Sequence, residues 1–229
     1  MTLRRLTVIA AALGAAFLAV AAPAAAGIEG PCTATFNGQD VATIDTPGTA
    51  LEVSVDDSIA VFGTDSTGTA TAEVGVEIAG FTAYFVDADV ADDTFSSSVA
   101  VSDYAVWGVG IYEVVGRTDD CQGSAFVKVT GRAFFATVIG GTATVLALGG
   151  LAMVLGSWIP AFRSGGGGFG LSIFGGLLGG LGLALLLQQA GITPLSATMV
   201  LVGAIGGPLL GGGVTWLGKF LAARAASPA

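Results

Sequence analysis

Histidine is missing from the 229 residues of this chain, and its absence excludes several kinds of chemistry at once. No imidazole is available as an acid or base near neutral pH, as a metal ligand, or as the base of a Ser-His or Cys-His pair. Ser96, Ser97 and Ser98 stand together, but no histidine or nearby lysine could activate them. We therefore predict that the protein is not an enzyme and uses no cofactor.

Acidic residues are also missing from nearly half of the chain. All 17 aspartates and glutamates lie between Glu29 and Asp120, so residues 121–229 carry none. Three bases leave residues 27–132 with a net charge of −14, whereas the rest of the chain to its C-terminus carries +3. The acidic part suits water and excludes nucleic acid as a partner, while the uncharged part suits a membrane.

The first 26 residues have the organisation of a secretory signal peptide. Arg4 and Arg5 precede an apolar run over Leu6–Val20, and alanines follow. We predict cleavage after Ala24 or Ala26, with an uncleaved anchor helix as the alternative.

Cysteine occurs only twice, as Cys32 and Cys121, near the two ends of the acidic part. In an exported chain the compartment favours oxidation, so we predict a disulfide between them, the alternative being two buried thiols. A bridge of this span stabilises a fold by about 4 kcal/mol in the chain-entropy model.

The acidic part, residues 27–132, has the pattern of an all-β domain. Polar and apolar residues alternate from Thr69 to Ile78, which indicates a strand with one buried face. Similar runs separated by turn residues occur at Thr33–Phe36, Val41–Ile44, Leu51–Val55, Ile59–Phe62, Phe81–Val86, Val99–Val101, Val109–Val115 and Ala125–Val129. This many short strands predict an immunoglobulin-like β-sandwich, with another Greek-key sandwich or a small barrel as alternatives.

Six aromatic side chains of this domain are assigned to its core or rim. They are Phe81, Tyr84, Phe85, Trp107, Tyr112 and Phe126. Large rings usually contribute to packing, and stacking on a ligand is the alternative.

One group of acids is dense enough to be considered for a cation. Asp87, Asp89, Asp92 and Asp93 fall in a predicted loop, and Ca²⁺ binds carboxylate oxygens. The EF-hand spacing fails, because the twelfth residue counted from Asp87 is Ser98. We predict a solvated loop and no metal, and retain these four residues as the candidate for Ca²⁺ and for a calcium-dependent adhesion domain.

Three uncharged apolar segments follow, at about 134–159, 169–190 and 195–217, and each can cross a hydrocarbon core of ~30 Å. Export of the acidic domain places Arg163 in the cytoplasm, with Lys219 and Arg224 of a tail at 219–229, as the positive-inside rule favours. We predict a multi-pass protein of the plasma membrane with residues 27–132 outside and the C-terminus inside.

Glycine is dense in the second and third segments, and many glycines stand four residues apart. The predicted helix-packing residues are Gly175, Gly176, Gly179, Gly180, Gly203, Gly207 and Gly211. A glycine zipper of this kind lets helix backbones approach closely. Doublets on opposite faces of the second helix leave room for a second subunit, so a homo-oligomer or another membrane protein is a predicted partner beside the lipid bilayer. Pro208 predicts a kink in the third helix.

The segments Asp103–Val114, Cys121–Ala125 and Val127–Gly131 resemble uncharacterised exported membrane proteins of actinobacteria, which have an N-terminal β domain and C-terminal transmembrane helices. The resemblance implies an envelope location and supplies no activity. We predict a membrane-anchored envelope protein with a non-enzymatic binding or structural β-sandwich. The alternative is a glycine-rich bundle that acts as an oligomeric channel or as a subunit of a membrane complex.

Overall fold

The computed structural model describes residues 26–65, 68, 71–78, 81–159 and 167–225. Two β-sheets come first along the chain and three long apolar helices follow. The predicted signal peptide, apart from Ala26, lies outside the described residues, and so do Arg163 and the last four residues of the predicted tail.

Within the described residues, eleven strands form two sheets. They are β1 Ile28–Glu29, β2 Cys32–Phe36, β3 Gln39–Asp40, β4 Leu51–Ser54, β5 Ser58–Asp65, β6 Ala72–Ile78, β7 Phe81–Asp87, β8 Asp89–Ala91, β9 Thr94–Ala100, β10 Gly110–Thr118 and β11 Gln122–Thr130. One sheet has the order β1-β11-β10-β6-β7, with β4 also paired to β11, and the other has the order β3-β2-β5-β9-β8. The β4–β11 pair is parallel and the other pairs are antiparallel.

A shared core joins the two sheets. Phe36 and Phe95 from one sheet and Val74, Val114 and Val127 from the other are buried in the same cluster. Burial of each such side chain stabilises the fold by roughly 1.5–3 kcal/mol. The core explains why the alternation in the sequence predicts strands, because most of the strands place one face on this cluster.

The predicted disulfide is present between Cys32 and Cys121. Cys32 begins β2 in one sheet, and Cys121 immediately precedes β11 in the other. The bond therefore ties the two sheets to each other and confirms the prediction.

One predicted strand is wrong. Val41–Thr43 is a 3-10 helix, whose start is capped by Asp40 through a 2.9 Å hydrogen bond from the Ala42 N–H to its carboxylate. Val41 and Ile44 are both buried, and a spacing of three residues fits a 3-10 turn, whereas in a strand these two side chains would point to opposite faces. The predicted Val99–Val101 strand is the end of the longer β9, after which a second 3-10 helix covers Val101–Asp103.

The aromatic residues assigned to packing fall into three groups. Phe126 is fully buried and Tyr112 is half-buried, as predicted. The side chains of Phe81 and Trp107 are 77 % and 59 % exposed, so of the predicted core or rim positions these two do not occupy the core. Tyr84 and Phe85 are also exposed. The Tyr84 ring contacts the Tyr104 ring at an angle of 48°, and the Arg117 guanidinium lies over the Phe85 ring.

Three helices form the second part of the chain: α1 Val138–Gly156, α2 Gly167–Gln189 and α3 Ala197–Ala225. All three are long and apolar enough to cross a membrane. A 3-10 turn at Phe134–Ala136 precedes α1, where the sequence predicts helix from residue 134. The third helix continues through Pro208 and ends eight residues beyond the predicted boundary, so most of the predicted tail is helical.

Glycines bring α2 into close contact with both other helices. Gly175 and Gly179 face Gly150 of α1, and Gly176 and Gly180 face Gly207 and Gly203 of α3. A methyl group built on Gly176 would overlap the carbonyl oxygen of Gly207. Both doublets of α2 therefore contact neighbours within the chain, and an oligomer stays a prediction.

Candidate functional site

An apolar cavity of about 340 Å³, here called the sandwich cavity, lies between the two sheets. Ile59 and Val99 line it from one sheet, and Val76 and Val114 line it from the other. Ile139, the second residue of α1, closes the end nearest the helices. The volume falls at the lower end of the range of ~300–1,000 Å³ that is typical of small-molecule sites.

The mouth of the sandwich cavity is aromatic. Tyr84 and Trp107 line the cavity and are exposed, so they stand where it meets the surroundings. The Tyr84 and Tyr104 ring centroids are 4.8 Å apart. A hydrogen bond with Tyr84 and desolvation raise the pKa of Tyr104 to about 12, so its hydroxyl stays neutral and can bond a polar group.

A second cavity of about 180 Å³, here called the junction cavity, lies where the β domain meets the helices. Glu77 at the end of β6 lines it from the β domain, and Thr142 and Leu185 line it from α1 and α2. Ile78, Tyr112 and Ile139 line both cavities, so the two lie side by side with these side chains between them.

Two glutamines at the end of α2 form hydrogen bonds to the β domain. The side-chain oxygen of Gln189 accepts a 3.0 Å hydrogen bond from the Val109 N–H, and the Thr137 hydroxyl lies 3.1 Å from the same oxygen. The side-chain nitrogen of Gln188 donates to the Ile111 carbonyl at 3.2 Å. Both glutamines are buried, and Gln189 also donates to Gln188. We call Gln188 and Gln189 the glutamine clasp.

Two glycines allow this close approach. Gly110 has a φ of +102°, and a methyl group built on it would overlap the Gln188 carbonyl oxygen. A methyl group on Gly108 would lie 2.7 Å from the side-chain nitrogen of Gln189. Side chains at either position would therefore push the end of α2 away from β10.

Tyr112 lies between the clasp and both cavities. Its hydroxyl accepts a 3.4 Å hydrogen bond from Gln189. Burial raises the pKa of Tyr112, although hydrogen bonds from Gln188 and Gln189 act in the opposite direction. The hydroxyl is therefore neutral at physiological pH, and the hydrogen bond from Gln189 gives this buried polar group a partner.

The first helix begins on the β domain as well. The Val138 and Ile139 N–H groups donate to the Val106 and Trp107 carbonyls at 3.1 and 2.8 Å, which satisfies donors that a helix start leaves free. On the other side of the junction, Lys128 bonds Glu52 at 2.6 Å. The Lys128 chain also lies 3.1 Å from the position of a methyl group on Gly191, in the α2–α3 connection. The β domain therefore contacts the end of the bundle at several separate points.

The four aspartates considered for Ca²⁺ are not brought into one site. Asp89 is in β8 rather than in a loop, which corrects the prediction, and the β8–β9 turn is formed by Asp92 and Asp93 in the left-handed region. Asp87 ends β7. Across the described parts of the chain, no group of three or more acidic, cysteine or histidine residues is placed to hold a metal ion.

The sequence interpretation missed two kinds of residue. The charge of the acidic part was interpreted as suited to water, yet the side chain of Asp65 is fully buried and accepts a 2.7 Å hydrogen bond from Thr118. It also missed the clasp. A signal for the clasp was available, because two adjacent glutamines end an otherwise apolar helix and two glycines flank Val109.

No protein-family model matches the chain, and no curated protein does. Two solved structures show a weak likeness. A lytic polysaccharide monooxygenase from Jonesia denitrificans has 11 % identity and a TM-score of 0.24, with 35 % of this chain and 56 % of that chain covered. A polysaccharide lyase has 11 % identity and a TM-score of 0.28, with 76 % of this chain and 25 % of that chain covered. The chain therefore spans about half of the monooxygenase and a quarter of the lyase.

Proposed function

We propose that the protein is a multi-pass protein of the plasma membrane whose β domain lies outside the cytoplasm and binds a small apolar ligand without catalysis. The observation that carries this function is the sandwich cavity, which is lined mainly by apolar side chains and has an aromatic mouth. Enclosed apolar cavities with few polar groups are the usual form of ligand sites. The predicted likeness to exported actinobacterial proteins and the immunoglobulin-like class of the sandwich are parts of the same proposal.

The disulfide supports the location of the β domain outside the cytoplasm, and the three apolar helices support the membrane location. Disulfides persist in oxidising compartments, and a charge of −14 suits a solvated domain. Alkaline phosphatase fused after residue 132 is expected to be active, and a fluorescent protein at the C-terminus is expected to fluoresce in the cytoplasm. The opposite pair of results would contradict the topology and leave ligand binding to be judged by its own test.

Ligand binding can be tested with an uncharged dye. Nile red is titrated into the full chain held in amphipol, without detergent or added lipid. Ala83 lines the sandwich cavity near its mouth, so Ala83→Phe is expected to remove the saturable part of the fluorescence. Ala60→Phe is the matched control, since Ala60 is exposed on β5 and does not line the cavity. Identical titrations for the wild type and both variants would contradict the proposed function.

A subunit of a membrane complex or an oligomeric channel is the second candidate. Gly149 of α1 and Gly213 of α3 have open space where a methyl group would stand, so another helix could approach these positions. Cross-linking of a Gly149→Cys variant in membranes is expected to give a covalent dimer if copies associate there. A strictly monomeric protein in mild detergent, without conductance in bilayers, would remove this candidate.

A further inference from the structure

The position of the two cavities suggests which ligand class the site takes. Ile139 lines both cavities and is the second residue of α1, the point where the first membrane-crossing helix begins. Thr142 and Leu185 place the junction cavity within the outermost turns of α1 and α2. In a membrane these turns lie at the boundary between head groups and acyl chains.

We propose that the sandwich cavity holds an acyl chain of a zwitterionic bilayer lipid, which reaches it from the bilayer through the junction cavity. The inference rests on the proposed function, because it names the ligand of the same site. Acyl chains are already at the level of Ile139, so the ligand need not cross water to enter. An acyl chain that moves from the bilayer into the sandwich cavity exchanges one apolar environment for another. Its transfer therefore costs little free energy.

Electrostatics select the head group. Residues 27–132 carry a net charge of −14, and Glu77 lines the junction cavity itself. An anionic head group held there would be repelled, whereas a zwitterion carries no net charge and its cationic end can approach Glu77.

The side chains between the two cavities control passage from one cavity to the other. Ile78, Tyr112 and Ile139 line both spaces, and Tyr112 is held by the clasp through Gln189. An acyl chain that passes from one cavity to the other must displace Ile78 or Ile139. Rotation of an aliphatic side chain is rapid, so the passage needs no rearrangement of the backbone.

The experiment uses the full chain in phosphatidylcholine nanodiscs that contain a trace of phosphatidylcholine with a photoactivatable diazirine near the end of one acyl chain. After irradiation, the cross-linked peptides are mapped by mass spectrometry. We expect adducts on β6 and β9 at Val76 and Val99, in addition to adducts on the lipid-facing surfaces of the helices. Adducts confined to the helices would overturn the inference.

Two variants and a second lipid sharpen the test. Ala83→Phe is expected to reduce the strand adducts at least tenfold and to leave the helix adducts unchanged, whereas Ala60→Phe is expected to change neither. Ala83→Leu serves the same purpose if the phenylalanine variant fails to fold. A phosphatidylglycerol probe with the same acyl chain is expected to label the strands several-fold less, and equal labelling would overturn the selection of the head group.

The lipid inference and the proposed function can fail separately. Saturable Nile red binding that Ala83→Phe removes, together with no strand adducts, would overturn the lipid inference and leave a ligand site of another specificity. Absence of both signals would overturn the two together.

Discussion

The side-chain oxygen of Gln189, the last residue of α2, accepts a 3.0 Å hydrogen bond from the backbone N–H of Val109 in the β domain. These residues are 80 positions apart in the sequence, and both are buried. A backbone donor of the β domain is thus satisfied by the end of a long apolar helix. Hydrogen bonds therefore join the β domain to the helices, and Tyr112, which contacts Gln189, lines both cavities.

Replacement of this acceptor is expected to weaken the junction. Gln189→Met keeps the length of the side chain and leaves the buried Val109 N–H without its acceptor, which costs roughly 1–3 kcal/mol. The free energy of unfolding of the full chain in nanodiscs, followed by circular dichroism, measures the loss. Gln39→Met is the control, because Gln39 is exposed on β3. Equal free energies of unfolding for the two variants would show that the glutamine clasp does not stabilise the protein.

The glycine at the start of β10 offers a second test of the junction. Gly110 and Gly38 both have positive φ, but a methyl group meets the Gln188 carbonyl at Gly110 and open space at Gly38. Alanine at either site loses about 1–2 kcal/mol through backbone conformation. Gly110→Ala is expected to lose distinctly more and to expose the Val109 amide to hydrogen exchange. Equal losses, with Val109 still protected, would contradict close packing of α2 on β10.

Packing within the bundle is tested by two glycines of the same helix. Gly176→Ala places a methyl group against the carbonyl of Gly207, and such overpacking costs about 1–3 kcal/mol. Gly170→Ala meets open space and is expected to be neutral or to gain up to ~1 kcal/mol from helix propensity. Titration with sodium dodecyl sulfate in mixed micelles measures both. A Gly176→Ala variant as stable as Gly170→Ala would show that α2 and α3 do not approach as closely as described.

The elements of the fold follow from local patterns, whereas the site does not. Alternation over β6 and the uncharged runs of the helices are each properties of about ten to twenty consecutive residues, so they can be recognised in a single sequence. The Val41–Thr43 turn was predicted as a strand because so short a run contains too few residues to distinguish a helical period from an alternating one. The sandwich cavity and the clasp depend on which side chains face each other across distant segments. The contact between Gln188 and Ile111, which are 77 residues apart, cannot be recognised from the local pattern, and neither can the exposure of Trp107.

Stability should depend on pH through Glu113, which is half-buried in β10 and paired across the sheet with Glu77 of β6. Desolvation raises the pKa of Glu113 above its ordinary value of 4.5, against a hydrogen bond with Ser124, and the charge of Glu77 adds to the rise. The folded protein therefore binds this proton more tightly than the unfolded chain does, so the contribution to stability is present below pH 4.5 and is lost as the pH rises through the folded pKa. Glu113→Gln is expected to raise the melting temperature at pH 7 and to leave it unchanged at pH 4. Glu29→Gln is the control, because Glu29 is exposed on β1 and stands opposite the uncharged Gln122. Melting curves of Glu113→Gln displaced by the same amount at both pH values would mean that ionisation of this carboxyl does not oppose folding.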